Sequence, residues 1–145
     1  MDNLITKELI ILDLDLSSKA EVIEEMARLF ESQGRLHDYS NYIKQVFARE
    51  ENFATSIGFE VAIPHGKTDA VKNASLAFAR LKNEIQWSDE EKVKYVFLIA
   101  VPETEAGNTH LQILAQISRK IMREEFREKL KSSLGVDELL EIITA

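Results

Sequence analysis

Apolar and polar positions along the chain switch between strand and helix periods, and the switches mark the elements. Residues 8–14 carry Leu9, Ile10, Ile11 and Leu12 in succession and read as a strand. Ser18-Lys19-Ala20-Glu21 has the form of a capping box, in which side chains satisfy the first free N–H groups of a helix. Behind it Val22, Ile23, Met26, Ala27, Leu29 and Phe30 recur at helical spacing, and Gly34 stops the run. Asp38 caps a second helix with Tyr39, Tyr42, Ile43, Val46 and Phe47 facing inward. Arg49 falls near its C-terminus, where the helix dipole favours a cation. A short apolar strand is expected over 60–65. Two more strands, over 74–82 and 94–101, are apolar on successive residues, so both of their faces are covered. Pro102 ends the second. A polar loop over 104–108 contains Gly107, and Asn108 or Thr109 then caps a helix carrying Ile113, Leu114, Ile117 and Ile121. Two short helices, over 124–132 and 137–143, are separated by Gly135.

The resulting order, β-α-α-β-β-β-α-α-α, predicts an α/β fold: a three-layer α/β/α sandwich with helices on both faces of one sheet. No repeat, low-complexity stretch or linker interrupts it, so residues 1–145 read as a single domain of ordinary size.

Composition narrows the chemistry. With 45% hydrophobic and 30% charged residues the chain has the make-up of a soluble globular protein. It contains no cysteine, which excludes a disulfide framework, a thiolate metal site and a cysteine nucleophile. The net charge of −7, with no cluster of Lys and Arg, argues against nucleic-acid binding and suits a basic protein partner. Asp2 and Glu8 break up any signal-like N-terminus, and the longest apolar run, 95–102, is far too short to span a bilayer. A cytoplasmic location without membrane insertion is expected. No histidine pair stands at metal-ligand spacing and no G-x-S-x-G elbow exists, so neither a metal nor a cofactor is expected.

One stretch, residues 49–67, concentrates what chemistry remains. Strand alternation puts Val61, Ile63 and His65 on one face, so the imidazole stands at the lip of an apolar wall. Pro64 stiffens the strand end, and Gly66 is read as the turn by which the backbone leaves. Phe53, Ile57 and Phe59 crowd the preceding loop and read as core, with an apolar collar that docks another protein as the alternative.

Arg49-Glu50, Thr55, Ile57-Gly58, Ala62-Ile63-Pro64-His65-Gly66 and Asn108-Thr109-His110-Leu111 with Leu114 together resemble the enzyme IIA domains of the fructose/mannitol family (EIIA type 2) of the bacterial sugar phosphotransferase system. The resemblance extends over nearly the whole chain. It implies a mixed central sheet, a phosphoryl group accepted on His65 from the phosphocarrier protein HPr, and delivery to an enzyme IIB domain for sugar uptake, fructose being the expected type. An alternative within the same family is the nitrogen-regulatory branch, which signals by phosphorylation-dependent protein binding. One departure is visible: many members carry a second glycine where this chain has Glu60, so a left-handed backbone is not carried over to that position.

The residue types suit the implied task. Histidine as a type is largely neutral, hence nucleophilic, near neutral pH, and covalent attack divides one difficult transfer into two easier ones. Arg49 could clamp phosphoryl oxygens bidentately, or it could pair with Glu50 or Glu51. The resemblance implies that His110 is a neighbour of His65. Its expected place in a first helical turn suits an anion or an orienting hydrogen bond, with simple capping or packing as the alternative. Thr55 and Ser56 could donate hydroxyl hydrogen bonds or only shape the loop, and Glu60 could hold an imidazole tautomer or merely begin a strand.

Overall fold

A computed structural model of the chain describes residues 4–104 and 109–145, with the side chains of Thr109 and His110 outside the description. The elements, in chain order, are β1 (Ile10–Leu14), α1 (Lys19–Ser32), α2 (Tyr39–Asn52), β2 (Ser56–Gly58), β3 (Val61–Ala62), β4 (His65–Thr68), β5 (Ser75–Gln86), β6 (Lys92–Pro102), α3 (Thr109–Ile121), α4 (Glu124–Ser132) and α5 (Val136–Thr144). They form the expected α/β architecture around one mixed six-stranded sheet of order β1-β5-β6-β3-β2, with β4 also paired to β6. Residues 8 and 9, expected as the start of the first strand, instead fall in a 3-10 turn over Lys7–Leu9, with Leu9 N–H donating to Thr6 O at 2.9 Å.

The two long helices begin where local capping says they should. Ser18 Oγ accepts from Glu21 N–H at 3.2 Å, and Asp38 Oδ1 accepts from Asn41 N–H at 3.2 Å. Gly34 follows α1 with φ of +69°, the left-handed exit that glycine takes without a Cβ penalty. The expected cap at Asn108 and the loop glycine Gly107 lie outside the described residues.

β5 and β6 are buried on consecutive residues along most of their length, so the sheet is covered on both faces. α1 and α2 pack on β4 and β5, and the α3–α5 group packs on β6 and β1. At the centre Phe78 and Phe97 are a directly opposed cross-strand pair with ring centroids 4.9 Å apart. Burying such a ring contributes on the order of 2–3 kcal/mol. Arg80, only 8% exposed, donates to the carbonyls of Leu130 (3.2 Å) and Ser133 (2.6 Å) and so ties the end of α4 to β5.

The single strand expected over 60–65 is a more elaborate device. β2 and β3 form a hairpin, and β3 and β4 run parallel to the same side of β6 in one register: Val61 opposes Tyr95, Ala62 opposes Val96, and His65 opposes Ile99. The offset is 34 in each case (95 − 61, 96 − 62, 99 − 65), so no residue is gained or lost across the break. The ladder lapses at Ile63-Pro64 because proline has no N–H to donate, while Pro64 O still accepts from Ile99 N–H at 3.0 Å.

Gly66 does not make the expected turn; it lies inside β4, and the strand runs on to Thr68. Its role is close packing. A Cβ at that position would come within 3.1 Å of Val46 Cγ2 and 3.2 Å of Tyr42 Cε1 on α2. Tyr42 cannot give way easily, since it is fully buried and donates to Ile99 O at 2.9 Å. Gly66→Ala is therefore expected to destabilise the fold by about 1–3 kcal/mol through overpacking, measured by urea unfolding.

Candidate active site

His65 opens β4 and is half-buried. Burial alternates along this strand, so His65 and Lys67 share the accessible side while Gly66 and Thr68 face inward. Opposite them α2 presents Gln45, Ala48, Arg49 and Asn52, one stripe at helical i, i+3, i+4, i+7 spacing. Together these side chains line an open depression of about 310 Å³ with His65 in its wall. The close approach at Gly66 is what brings the helix stripe near enough to the strand to form it.

The imidazole is held through one nitrogen. His65 Nδ1 lies 3.0 Å from Ile63 O, and a carbonyl can only accept, so Nδ1 carries the proton. Nε2 then keeps its lone pair. Sequence reasoning had offered Glu60 for the task of fixing the tautomer. In the structure Glu60 is exposed and the backbone of Ile63 does this instead.

Arg49 Nη1 donates to Phe53 O at 2.7 Å, which curls the side chain over the end of α2. Among the described residues no carboxylate comes within ion-pair distance of Arg49, and none does of Lys67. The alternative pairing of Arg49 with Glu50 is not made. Glu50 points the other way, 7% exposed, receiving Lys19 Nζ at 2.8 Å and Trp87 Nε1–H at 3.0 Å. In a chain of net charge −7, two cations without carboxylate partners beside a histidine make a local field that favours an anion.

Thr55 is buried, and both its hydroxyl and its N–H donate to the Glu50 carboxylate. It is thus committed inward and does not line the depression. His110 occupies the first turn of α3, as expected for a helix-start residue, but its side chain lies outside the described residues.

Two expectations for the preceding loop are corrected. Phe53, Ile57 and Phe59 are not core: they are 77%, 41% and 47% exposed. Phe53 caps the C-terminus of α2, and Ile57 and Phe59 belong to β2 and its turn at the end of the sheet order. Arg127 covers the Phe59 ring at 4.2 Å from its centroid. The left-handed backbone is also present at Glu60 despite the missing glycine, with φ of +63°, next to Phe59 at +56°. Both central residues of this two-residue hairpin have positive φ because that hand of turn matches the strand twist. A non-glycine residue there carries about 1–2 kcal/mol of strain. Glu60→Gly is expected to raise the melting temperature by a few degrees, the gain being reduced by glycine's extra unfolded-state entropy.

Sequence reasoning assigns Lys67 no role, and it offers Glu50 only as part of the Arg49-Glu50 motif and as a partner for Arg49. Lys67 stands two residues after His65 and would have been found by strand alternation had Gly66 not been read as a turn. Glu50 continues the buried α2 stripe of Tyr42 and Val46 at i+4 spacing, a signal that was present but overridden by its charge.

An α/β sandwich that holds one histidine through Nδ1 in the wall of a depression shared with Arg49 and Lys67 is built to receive an anion beside an imidazole. A model of the phosphoenolpyruvate-dependent sugar phosphotransferase system EIIA 2 family matches residues 3–145, and the chain belongs to that family. It is 37% identical over 142 residues to the fructose-specific EIIABC component of Bacillus subtilis, covering 97% of this chain and 22% of that protein. It is 39% identical over 125 residues to the fructose-specific EIIA component of Haloferax volcanii, covering 85% of this chain and 80% of that one. The chain spans about a fifth of the length of the multidomain relatives it matches, 22% and 21% in the first two. Among solved structures, the nitrogen regulatory protein IIA-Ntr of Neisseria meningitidis aligns with a TM-score of 0.86 at 31% identity, covering 95% of this chain and 94% of that one. Enzyme IIA mannitol in its complex with phosphorylated enzyme IIB mannitol from Escherichia coli aligns with a TM-score of 0.83 at 23% identity, covering 97% and 96%, and shares the fold.

Proposed function

We propose that residues 1–145 act as one EIIA phosphocarrier unit in the cytoplasm: His65 takes a phosphoryl group from phospho-HPr and passes it to an enzyme IIB domain serving uptake of a fructose-type sugar. The observation that carries this reading is the hydrogen bond from His65 Nδ1–H to Ile63 O, which leaves Nε2 as the nucleophile beside Arg49 and Lys67, neither of them ion-paired to a described carboxylate. Nε2 attacks phosphorus in line as the bond to the donor's nitrogen breaks. The positive charge that develops on the ring rests at Nδ1–H, where the Ile63 carbonyl already accepts. Arg49 and Lys67 neutralise the arriving phosphoryl oxygens, and neither must first break an ion pair with a described carboxylate. A phosphoramidate keeps enough transfer potential for the second step, so positioning and charge supply the rest. His110, at the start of α3, would lend a second imidazole to the phosphoryl oxygens.

Phe53, whose carbonyl receives Arg49, is exposed, as are Ile57 and Phe59 of the following hairpin, and such apolar side chains suit a transient protein partner that must exclude water during transfer. No helix among the described residues is long and apolar enough to cross a membrane.

The similarity to IIA-Ntr favours a second reading, in which phosphorylation of His65 controls binding to another protein. A chase experiment separates the two: phosphorylated protein mixed with enzyme IIB from a fructose-type permease should lose its label to IIB within seconds to minutes. Label that enters from phospho-HPr but passes to no IIB would contradict the transport reading and support regulation.

A further inference from the structure

We propose that Glu50 and Thr55 are positioning residues that set the tautomer of His65 from a distance. This rests on His65 being the phosphoryl acceptor, and it assigns to the buried carboxylate a role beyond folding.

The connection is a continuous run of hydrogen bonds. Glu50 sits on the buried face of α2, one residue beyond Arg49, and is 7% exposed. Lys19 Nζ (2.8 Å) and Trp87 Nε1–H (3.0 Å) converge on its Oε1, and Thr55 N–H reaches the same oxygen at 3.3 Å. The other oxygen accepts from the Thr55 hydroxyl. Thr55 is thereby fixed through both its side chain and its backbone. Its carbonyl accepts from Ile63 N–H at 3.0 Å, and the opposite side of that residue, Ile63 O, accepts from His65 Nδ1–H at 3.0 Å. The peptide groups of Ile63 stand where the β6 ladder lapses at Pro64, so β6 alone does not hold them. The contact through Thr55 supplies the missing constraint.

A carboxylate suits the hub because four donors point at it: an ammonium, an indole N–H, a backbone N–H and a hydroxyl. An amide in its place offers one oxygen and turns two N–H groups toward these donors, so the network cannot be satisfied. Loosening Thr55 frees Ile63, and the imidazole then exchanges between tautomers, with Nε2 blocked by a proton in part of the population.

The test uses the full chain and two readouts. Ring 15N shifts of unphosphorylated His65, recorded above the pH at which the ring is neutral, report the tautomer without any transfer. The initial rate of labelling by phospho-HPr reports the consequence. The wild type should show Nδ1 protonated and Nε2 bare. Glu50→Gln and Thr55→Val should move both nitrogen shifts toward a mixture and slow labelling about tenfold, the usual scale for loss of a supporting hydrogen-bond partner. Thr55→Ser, which keeps the hydroxyl, should restore both. Unchanged ring shifts in a folded Glu50→Gln or Thr55→Val protein would overturn the proposal, as would Thr55→Ser behaving like Thr55→Val. Should Glu50→Gln not fold, the Thr55→Val and Thr55→Ser pair decides alone. A wild type whose His65 shows the Nδ1–H form but takes no label would instead refute the acceptor reading and leave the positioning result standing.

Discussion

His65→Ala is expected to abolish acid-labile phosphorylation by phospho-HPr while leaving a folded protein. The loss should be complete because no other described residue combines a bare ring nitrogen with the two cations of this depression, Arg49 and Lys67. The fold should survive because the side chain is half-buried at the end of a strand, and among the described residues its side-chain anchor is the hydrogen bond to Ile63 O. Deleting one such bond costs about 1 kcal/mol. Labelling followed by mild acid treatment, alongside a thermal melt, separates lost chemistry from lost structure. The chain has two other histidines, His37 and His110, so label retained in the variant would move the acceptor to one of them.

Arg49→Lys should be nearly as informative, because it keeps the charge and removes the fork. Arg49 lines the depression and is braced by Phe53 O through Nη1 before any phosphoryl group arrives. A lysine has no second nitrogen with which to hold that brace and still bind oxygen, so it must give up one contact. The expected fall in transfer rate is about tenfold to a hundredfold, the range for loss of one preorganised donor to a charged reacting group. The effect should lie in the maximal rate more than in the donor concentration needed, since the interaction strengthens as the phosphoryl group transfers. A rate equal to wild type would reduce Arg49 to a cation at the C-terminus of α2.

The helices were legible in the sequence because their signals are local. Ser18 and Asp38 announce the starts of α1 and α2 within four residues, and the structure shows both caps made. The segment from Ser56 to Thr68 was not legible in the same way. Its turn is built at Phe59-Glu60, where neither residue announces a positive φ, and only the pairing of β2 with β3 forces it. Gly66 was read for its backbone freedom when its missing Cβ was the point, a fact set by α2 and invisible along the strand itself. β5 likewise runs past its expected end at Lys82 to Gln86, because the polar Lys82, Asn83 and Glu84 are exposed where the β5–β6 hairpin projects from the helix layers. At the site the pattern is the same. His65 stood out by its neighbours in the chain, whereas the atom that fixes its tautomer is a backbone carbonyl, which no residue type reveals.

Heteronuclear NMR of the phosphorylated, 15N-histidine-labelled protein tests the central claim most directly, since coupling to phosphorus marks the ring nitrogen that bears the group. Coupling at Nε2 of His65, with Nδ1 still protonated against Ile63 O, is the predicted result. Coupling at Nδ1 of His65, or on the ring of another histidine, would contradict it.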